Sequence, residues 1–277
     1  MAIEVNLGVS PPPLFETEPP PKRPSYSPKL PIYRYSYLAL QTKAIATGQF
    51  TAFLVEFRLA QDATKADLSQ KKLMDLPAEF FCLQNLVEVH LEKNLLKEIP
   101  RAIIKLSHMQ HVDLSQNLFD EFPLPLTRCQ QLTYVDLSDN FFTSLPKDIC
   151  FLINLRFLGL QTLKLRSLPE EIGQIAVLET LLVDNNLLSS FPHTVDRLQY
   201  LKVLSAKDNL LDKLPFELFL CNSLQKLYLD QNYINQLPLL TIPCPLPHLE
   251  ILSLTSNPIK ISRIMFTIFP TLKELFV

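Results

Sequence analysis

Two acid–histidine pairs are the residues of this sequence whose types and spacing could support chemistry. Glu88 and His90 lie two residues apart, and so do His111 and Asp113. An imidazole beside a carboxylate can act as a general acid–base pair or supply ligands to a metal ion. On a protein surface, however, such a pair is usually an ordinary solvated cluster. We therefore predict no catalytic residue, no cofactor and no metal site.

Other catalytic groups lack the partners that their chemistry requires. The sequence has four glycines, which do not cluster, so no glycine-rich loop can hold a phosphate. The pattern places no serine or cysteine nucleophile beside a base. The five cysteines form no CxxC pair, and we interpret them as small buried apolar residues. They are Cys82, Cys129, Cys150, Cys221 and Cys244. We expect a protein that is not an enzyme.

The overall composition indicates which classes of partner and which cellular compartment to expect. A net charge of −2 and a pI near 6.2 argue against nucleic acid or an anionic membrane as the partner. No apolar stretch reaches the length of a membrane span. The first ten residues have no basic region before an apolar run, unlike a secretory signal. A cytoplasmic protein is expected.

The strongest signal in the sequence is an internal repeat that begins near residue 63. Asparagines recur on a 23-residue grid. They are Asn94, Asn117, Asn140, Asn186, Asn209 and Asn232. Two grid positions hold Lys71 and Leu163 instead, and Asn257 follows 25 residues after Asn232. The two extra residues are placed within 243–247, and Leu163 is the one interior break in the asparagine series.

Each repeat has the same internal pattern. Apolar residues lie eight, five and three residues before the asparagine, as Leu132, Val135 and Leu137 do before Asn140. The alternation predicts a very short strand with one buried face, and stacked copies predict a parallel sheet. An asparagine amide both donates and accepts, so it can satisfy the backbone groups of the turn that follows. At Leu163 we expect a rearranged turn, at about 1–3 kcal/mol for any backbone group left unpaired.

An apolar–proline pair then directs the chain into a helical or irregular return segment. The full pattern, LxxLxLxxNxLxxLPxxIxxLxx, resembles the leucine-rich-repeat superfamily. It is most similar to the 23-residue intracellular class of Ras-suppressor and densin-like scaffold proteins. The resemblance implies an α/β solenoid with short parallel strands on its concave face and a helical or irregular convex side. It assigns repeats to residues 63–256 and a cap-like helix and strand to residues 257–277.

The residues before the repeats divide into two segments. Residues 1–36 are rich in proline and predict a disordered tail. Its two PxxP motifs leave two interpretations open, a contact for SH3- or WW-type domains or a plain flexible linker. Residues 37–62 predict a helical N-terminal cap, since Phe50, Phe53 and Phe57 fall on one helix face. A membrane-surface helix is the alternative for this segment.

The exposed strand positions of such a solenoid are the candidate contacts for a protein partner. The predicted partner-binding residues are Glu88, His90, His111, Asp113, Tyr134, Asp136, Phe157, Gln161, Thr180, Leu182, Asp184, Val203, Lys207, Lys226 and Tyr228. The middle of this set is apolar and aromatic, which is typical of a binding patch. We predict a scaffold or adaptor in signalling. The alternative is a dedicated regulatory subunit of one enzyme, such as a phosphatase or a small GTPase pathway component.

Overall fold

The computed structural model describes residues 64–76, 78–238, 246–260 and 269–277. The predicted proline-rich tail and N-terminal helical cap lie outside the described residues. So do the insertion at 243–247, for the most part, and the helix predicted between Asn257 and the last strand. Within the described ranges, no helix has the length and apolar character needed to cross a membrane.

The described residues contain ten strands of three residues each, which form one parallel sheet in chain order. The strands are β1 Lys65–Asp67, β2 Glu88–His90, β3 His111–Asp113, β4 Tyr134–Asp136, β5 Phe157–Gly159, β6 Thr180–Leu182, β7 Val203–Ser205, β8 Lys226–Tyr228, β9 Ile251–Ser253 and β10 Glu274–Phe276. The central residue of each strand from β1 to β9 is buried, as Val112 and Leu158 are. This arrangement confirms the predicted parallel strands.

Seven 3₁₀ helices lie along the return segments of the described repeats. They are Ala78–Cys82, Arg101–Lys105, Leu124–Arg128, Lys147–Phe151, Glu170–Gln174, His193–Arg197 and Phe216–Leu220. From the second onward, each helix begins directly after the proline of an apolar–proline pair. The Pro100 carbonyl, for example, accepts a hydrogen bond of 3.0 Å from the Ile103 N–H. Proline suits this position because its missing N–H has no helical partner to lose.

Buried asparagines connect each repeat to the one before it. The Asn117 Nδ2 donates to the Leu91 carbonyl at 2.9 Å and to the Leu114 carbonyl at 3.0 Å. Its Oδ1 accepts from the Leu96 N–H at 3.1 Å. The Leu91 carbonyl also accepts from the Asn94 Nδ2 at 2.8 Å, so one carbonyl is shared by two asparagines. The amide therefore does what the sequence predicts, and it also bridges neighbouring units.

The turn at Leu163 is rearranged, as predicted. Both flanking residues have positive φ, 58° at Thr162 and 62° at Lys164, whereas at the asparagine positions only the preceding residue does. The Leu163 N–H donates to the Asn186 Oδ1 at 3.1 Å. Among the described residues, no partner is found for the Phe142 N–H, whose counterparts elsewhere donate to an asparagine. The interface between the repeats of Asn140 and Leu163 thus lacks a hydrogen bond that the other interfaces between β1 and β9 have.

The cysteines are only partly the core residues that the sequence predicts. Cys129 and Cys221 are buried, and the Cys221 thiol donates to the Val195 carbonyl at 3.2 Å. Cys82 is exposed and Cys150 is half-buried, so the prediction of burial is wrong for Cys82. Both lie within 3₁₀ helices, which turn one side toward solvent. Cys244 lies outside the described residues.

Candidate functional site

The sheet face opposite the core carries all of the predicted partner-binding residues. In a strand, the first and third side chains point away from the side of the central one. The parallel register therefore aligns equivalent residues of neighbouring strands in columns, with His111 beside Tyr134 and Tyr134 beside Phe157. First positions are Glu88, His111, Tyr134, Phe157, Thr180, Val203 and Lys226; third positions are His90, Asp113, Asp136, Leu182 and Tyr228; Gln161, Asp184 and Lys207 lie two residues beyond their strands. We call this surface the sheet face.

Four aromatic rings form a row across strands β2 to β5, in which three rings are stacked and His90 is tilted by 37° against His111. The His111 and Tyr134 rings lie 3.9 Å apart and nearly parallel, at 6°. Tyr134 and Phe157 lie 4.2 Å apart, also at 6°, and His90 is 5.0 Å from His111. We call these four side chains the ring ladder. The sequence analysis assigns the two histidines to acid–histidine pairs and the two aromatic residues to an apolar patch, and the structure joins all four into one feature.

Burial keeps the middle of the ring ladder uncharged. It lowers the pKa of His111 to about 4, with a further contribution from repulsion by His90. Burial also raises the pKa of the Tyr134 hydroxyl, and the nearby carboxylates add to the effect. Both side chains are therefore neutral at neutral pH. His111 and Tyr134 each stack on neighbours, so these two rings present mainly their edges.

The end of the sheet face near β1 to β3 is acidic. Asp67, Glu88, Glu92 and Asp113 lie there around His90. Among the described residues, Lys65 balances part of this charge, because its Nζ lies 2.7 Å from the Glu88 Oε2. That hydrogen bond lowers the pKa of Glu88. The remaining carboxylates leave an excess of negative charge at this end.

A glycine makes room for the next carboxylate along the sheet face. A Cβ at Gly159 would lie 2.5 Å from the Asp136 Oδ1, which is closer than real contacts. The same Oδ1 accepts a 3.0 Å hydrogen bond from the Ser138 N–H. Burial raises the pKa of Asp136, partly offset by its bonds to Ser138. Gly159 thus leaves the space that the Asp136 carboxylate occupies on the neighbouring strand.

Asp184 occupies a different environment from the exposed one that the sequence predicts. The residue is buried, with 5% of its surface exposed. Its carboxylate accepts hydrogen bonds from the Ser205 hydroxyl at 2.5 Å, the Lys207 N–H at 2.8 Å and the Gln161 amide at 2.7 Å. Because both carboxylate oxygens accept from residues of the neighbouring repeats, Asp184 links the ends of β5, β6 and β7.

Beyond the ring ladder the sheet face becomes apolar and then mixed in charge. Leu182 and Val203 are half-buried and continue the apolar surface across β6 and β7. The Lys207 Nζ lies 4.7 Å from the centre of the Tyr228 ring and 3.3 Å from the Asp230 Oδ2. The face therefore has an acidic end, an apolar middle and a mixed-charge end.

A further apolar surface runs beside the sheet face, where the sequence analysis placed no contacts. Its residues directly follow the asparagines and are exposed, with Phe141 at 60% and Tyr233 at 61%. The members are Leu95, Phe141, Leu187, Leu210 and Tyr233, which we call the lateral stripe. The sequence does contain a signal for this surface. The residue after each of these asparagines is apolar, although that residue is not part of the core.

Comparison with known proteins agrees with the geometry. A family model for a leucine-rich repeat region matches residues 116–236. The described residues have the fold of a leucine-rich-repeat solenoid. A leucine-rich-repeat protein of Leptospira interrogans is 28% identical, with a TM-score of 0.67 over 80% of this chain. An internalin of Listeria monocytogenes is 18% identical, with a TM-score of 0.65 over 76% of this chain, and shows the fold alone.

A plant receptor ectodomain is also similar to this solenoid. It belongs to the membrane receptor kinase GASSHO1/SCHENGEN3 of Arabidopsis thaliana and is 26% identical, with a TM-score of 0.57 over 78% of this chain. The solenoid spans 62% of the Leptospira chain, 60% of the internalin and 30% of the plant chain. A sequence comparison with curated proteins gives no significant match.

Proposed function

We propose that this solenoid is a non-enzymatic scaffold or adaptor that binds a protein partner on its sheet face. The observation that carries the proposal is the ring ladder, which places half-buried aromatic side chains on an open surface. Repeat solenoids use their extended concave surfaces for binding, and aromatic side chains dominate the energetics of protein interfaces. Leu182 and Val203 extend the apolar contact area beyond the ladder.

The plant receptor ectodomain supports a protein partner, because it was solved in complex with CASPARIAN STRIP INTEGRITY FACTOR 2. The similarity to Ras-suppressor and densin-like proteins and the cytoplasmic location remain predictions from the sequence. We include both in the proposal, together with a role in signalling.

The charge distribution indicates which side chains the partner presents. Its apolar side chains would contact the exposed edges of Tyr134 and Phe157. A basic side chain would face Asp67, Glu92 and Asp113 at the acidic end, since complementary charge speeds and orients association. We therefore expect a partner segment in which basic residues precede or follow an apolar stretch.

The test compares two triple variants by proximity labelling in cells. The first is Tyr134→Ala/Phe157→Ala/Leu182→Ala on the sheet face. The matched control is Phe141→Ala/Leu187→Ala/Tyr233→Ala on the lateral stripe, which removes similar apolar area. Circular dichroism melting establishes that both remain folded. We expect the first variant to lose the specific partners that the control retains.

The opposite pattern would place the interface on the lateral stripe, and retention of every partner by the sheet-face variant would refute the proposal. Purification of the complex then separates the scaffold from the single-enzyme regulator. One stoichiometric enzyme subunit would favour the regulator, and several partners would favour the scaffold.

A further inference from the structure

Three side chains at the acidic end of the sheet face converge in the manner of metal ligands. His90, Glu92 and Asp113 each place one ligand atom within 4.8 Å of the other two. They come from β2, from the residue two positions beyond it, and from β3, the neighbouring strand. All three are half-buried, so the group combines one imidazole and two carboxylates in a partly desolvated position.

Two polar atoms of this group have no hydrogen-bond partner. The His90 Nε2 and the Glu92 Oε2 are both buried and unpaired within the described residues. The Nε2 lies 3.7 Å from the nearest Glu88 oxygen, and the Nδ1 lies 3.8 Å from the Glu92 Oε2. Both separations exceed hydrogen-bonding distance. Buried polar groups left unpaired are costly, so such a pair points to a ligand that would satisfy both.

The local charge favours a cation at this position. Besides the two ligand carboxylates, Asp67 and Glu88 lie close to His90, and Lys65 is the ion-pair partner of Glu88. The Glu92 and Asp113 carboxylates also repel each other, because both approach the same partly buried position. A bound cation would relieve this repulsion by supplying a countercharge between the two carboxylates.

We propose that His90, Glu92 and Asp113 form a binding site for a divalent transition-metal ion of the zinc class. One nitrogen and two oxygen donors, with a fourth position open to water or to a partner group, suit zinc, cobalt and similar ions. The imidazole argues against calcium and magnesium, which prefer oxygen donors. The three ligands all come from this chain, so the ion needs no protein partner to bind, and it would compete with a basic partner side chain at Glu92 and Asp113.

The dimensions require a small adjustment on binding. In a tetrahedral site with metal–ligand distances of about 2.0–2.2 Å, the ligand atoms lie about 3.3–3.6 Å apart. The ligand atoms now lie within 4.8 Å of one another, so the widest separation must close by up to about 1.2–1.5 Å. The side chains of His90 and Glu92 are 20% and 25% exposed, which leaves them space to rotate.

The experiment is a titration of the full chain with Co²⁺, followed by visible absorption and competition with Zn²⁺. The variants are His90→Gln and Asp113→Asn, each of which removes one ligand. His108→Gln is the matched control, because His108 is an exposed histidine outside the group. Using two ligand variants keeps the test informative if one of them fails to fold, as judged by circular dichroism.

We expect one Co²⁺ per chain, displaced by Zn²⁺, with affinity lower by about tenfold or more in either ligand variant and unchanged in the control. The spectrum should lack the intense sulfur-to-cobalt charge-transfer band, because the proposed ligands include no thiolate. Absence of stoichiometric binding would overturn the proposal. Equal affinity in the folded ligand variants, or a charge-transfer band showing that a cysteine such as the exposed Cys82 holds the ion, would do the same.

Discussion

The asparagines of the repeat should differ in their contribution to stability, and Asn186 should contribute more than most. The Asn186 Oδ1 accepts from the N–H groups of Leu163 at 3.1 Å and Leu165 at 2.9 Å. Its Nδ2 donates to the Leu160 carbonyl at 2.8 Å. Because the preceding grid position holds a leucine, no other described group serves these three atoms. Asn186→Ala therefore leaves three buried backbone groups without a partner.

Asn117→Ala should be milder because its neighbours provide a substitute. The Leu91 and Leu114 carbonyls also accept from the asparagines of the two adjacent repeats. Of the groups that Asn117 serves in the described part of the chain, only the Leu96 N–H is then left without a partner. At about 1–3 kcal/mol for each unpaired buried group, Asn117→Ala should destabilise the fold by about 1–3 kcal/mol. Asn186→Ala should cost about 3–6 kcal/mol, since water can enter to serve some of its groups.

Urea unfolding of the two variants, followed by circular dichroism, measures this difference. Repeat arrays can unfold in steps, so hydrogen exchange at the affected turns should accompany the midpoints. Asn94→Ala provides a replicate, because among the described residues Asn94 is also the sole partner of the Lys71 and Leu73 N–H groups and of the Leu68 carbonyl. A midpoint for Asn186→Ala equal to or above that of Asn117→Ala would refute the reasoning.

Two further substitutions test other contacts of the solenoid. Gly173→Ala would place a Cβ 2.3 Å from the Thr194 carbonyl oxygen, which belongs to the backbone of the next repeat. It should destabilise the protein by about 1–3 kcal/mol, and an unchanged melting temperature would show that the two repeats separate easily. The Lys202 ammonium, 2.6 Å from Glu179, and the Arg156 guanidinium lower the pKa of Glu179 below its ordinary value of 4.5. A carboxylate whose pKa is lowered in the folded state stabilises the fold at pH above its ordinary pKa, and this stabilisation is lost as pH falls through the lowered pKa. Glu179→Gln should therefore have a lower melting temperature than wild type at neutral pH. The difference should vanish in acid, and a difference independent of pH would contradict the assignment.

The repeat period was sufficient to predict the strands and their neighbours. Once the asparagines fix the grid, a parallel register must step by one repeat per strand, which places Tyr134 beside Phe157 without further information. The buried strand centres and the burial of Cys129 and Cys221 follow from the same alignment. The rearranged turn at Leu163 was also predictable, because leucine cannot replace the donor and acceptor of an amide.

Side-chain conformation set the limit of prediction for the candidate site. The grid places His111 and Tyr134 in one column, but only their rotamers decide that the rings stack. It also places Asp184 at an exposed position, and the residue is buried because Gln161 and Ser205 of the adjoining strands turn toward it. The exposure of Cys82 depends on where its 3₁₀ helix ends, which a repeat pattern locates poorly.

The ring ladder crosses the same repeat interface at which Leu163 interrupts the asparagine series. Tyr134 and Phe157 belong to the two neighbouring repeats between which the Phe142 N–H has no partner among the described residues. In a linear array stabilised by nearest-neighbour contacts, one weak coupling sets the place where the array divides into two cooperative blocks. The stacked rings of Tyr134 and Phe157 connect the same two repeats on the sheet face. A ligand bound to both rings would stabilise the contact between the two blocks. Its binding could then be measured as a smaller population of the state in which only one block is folded.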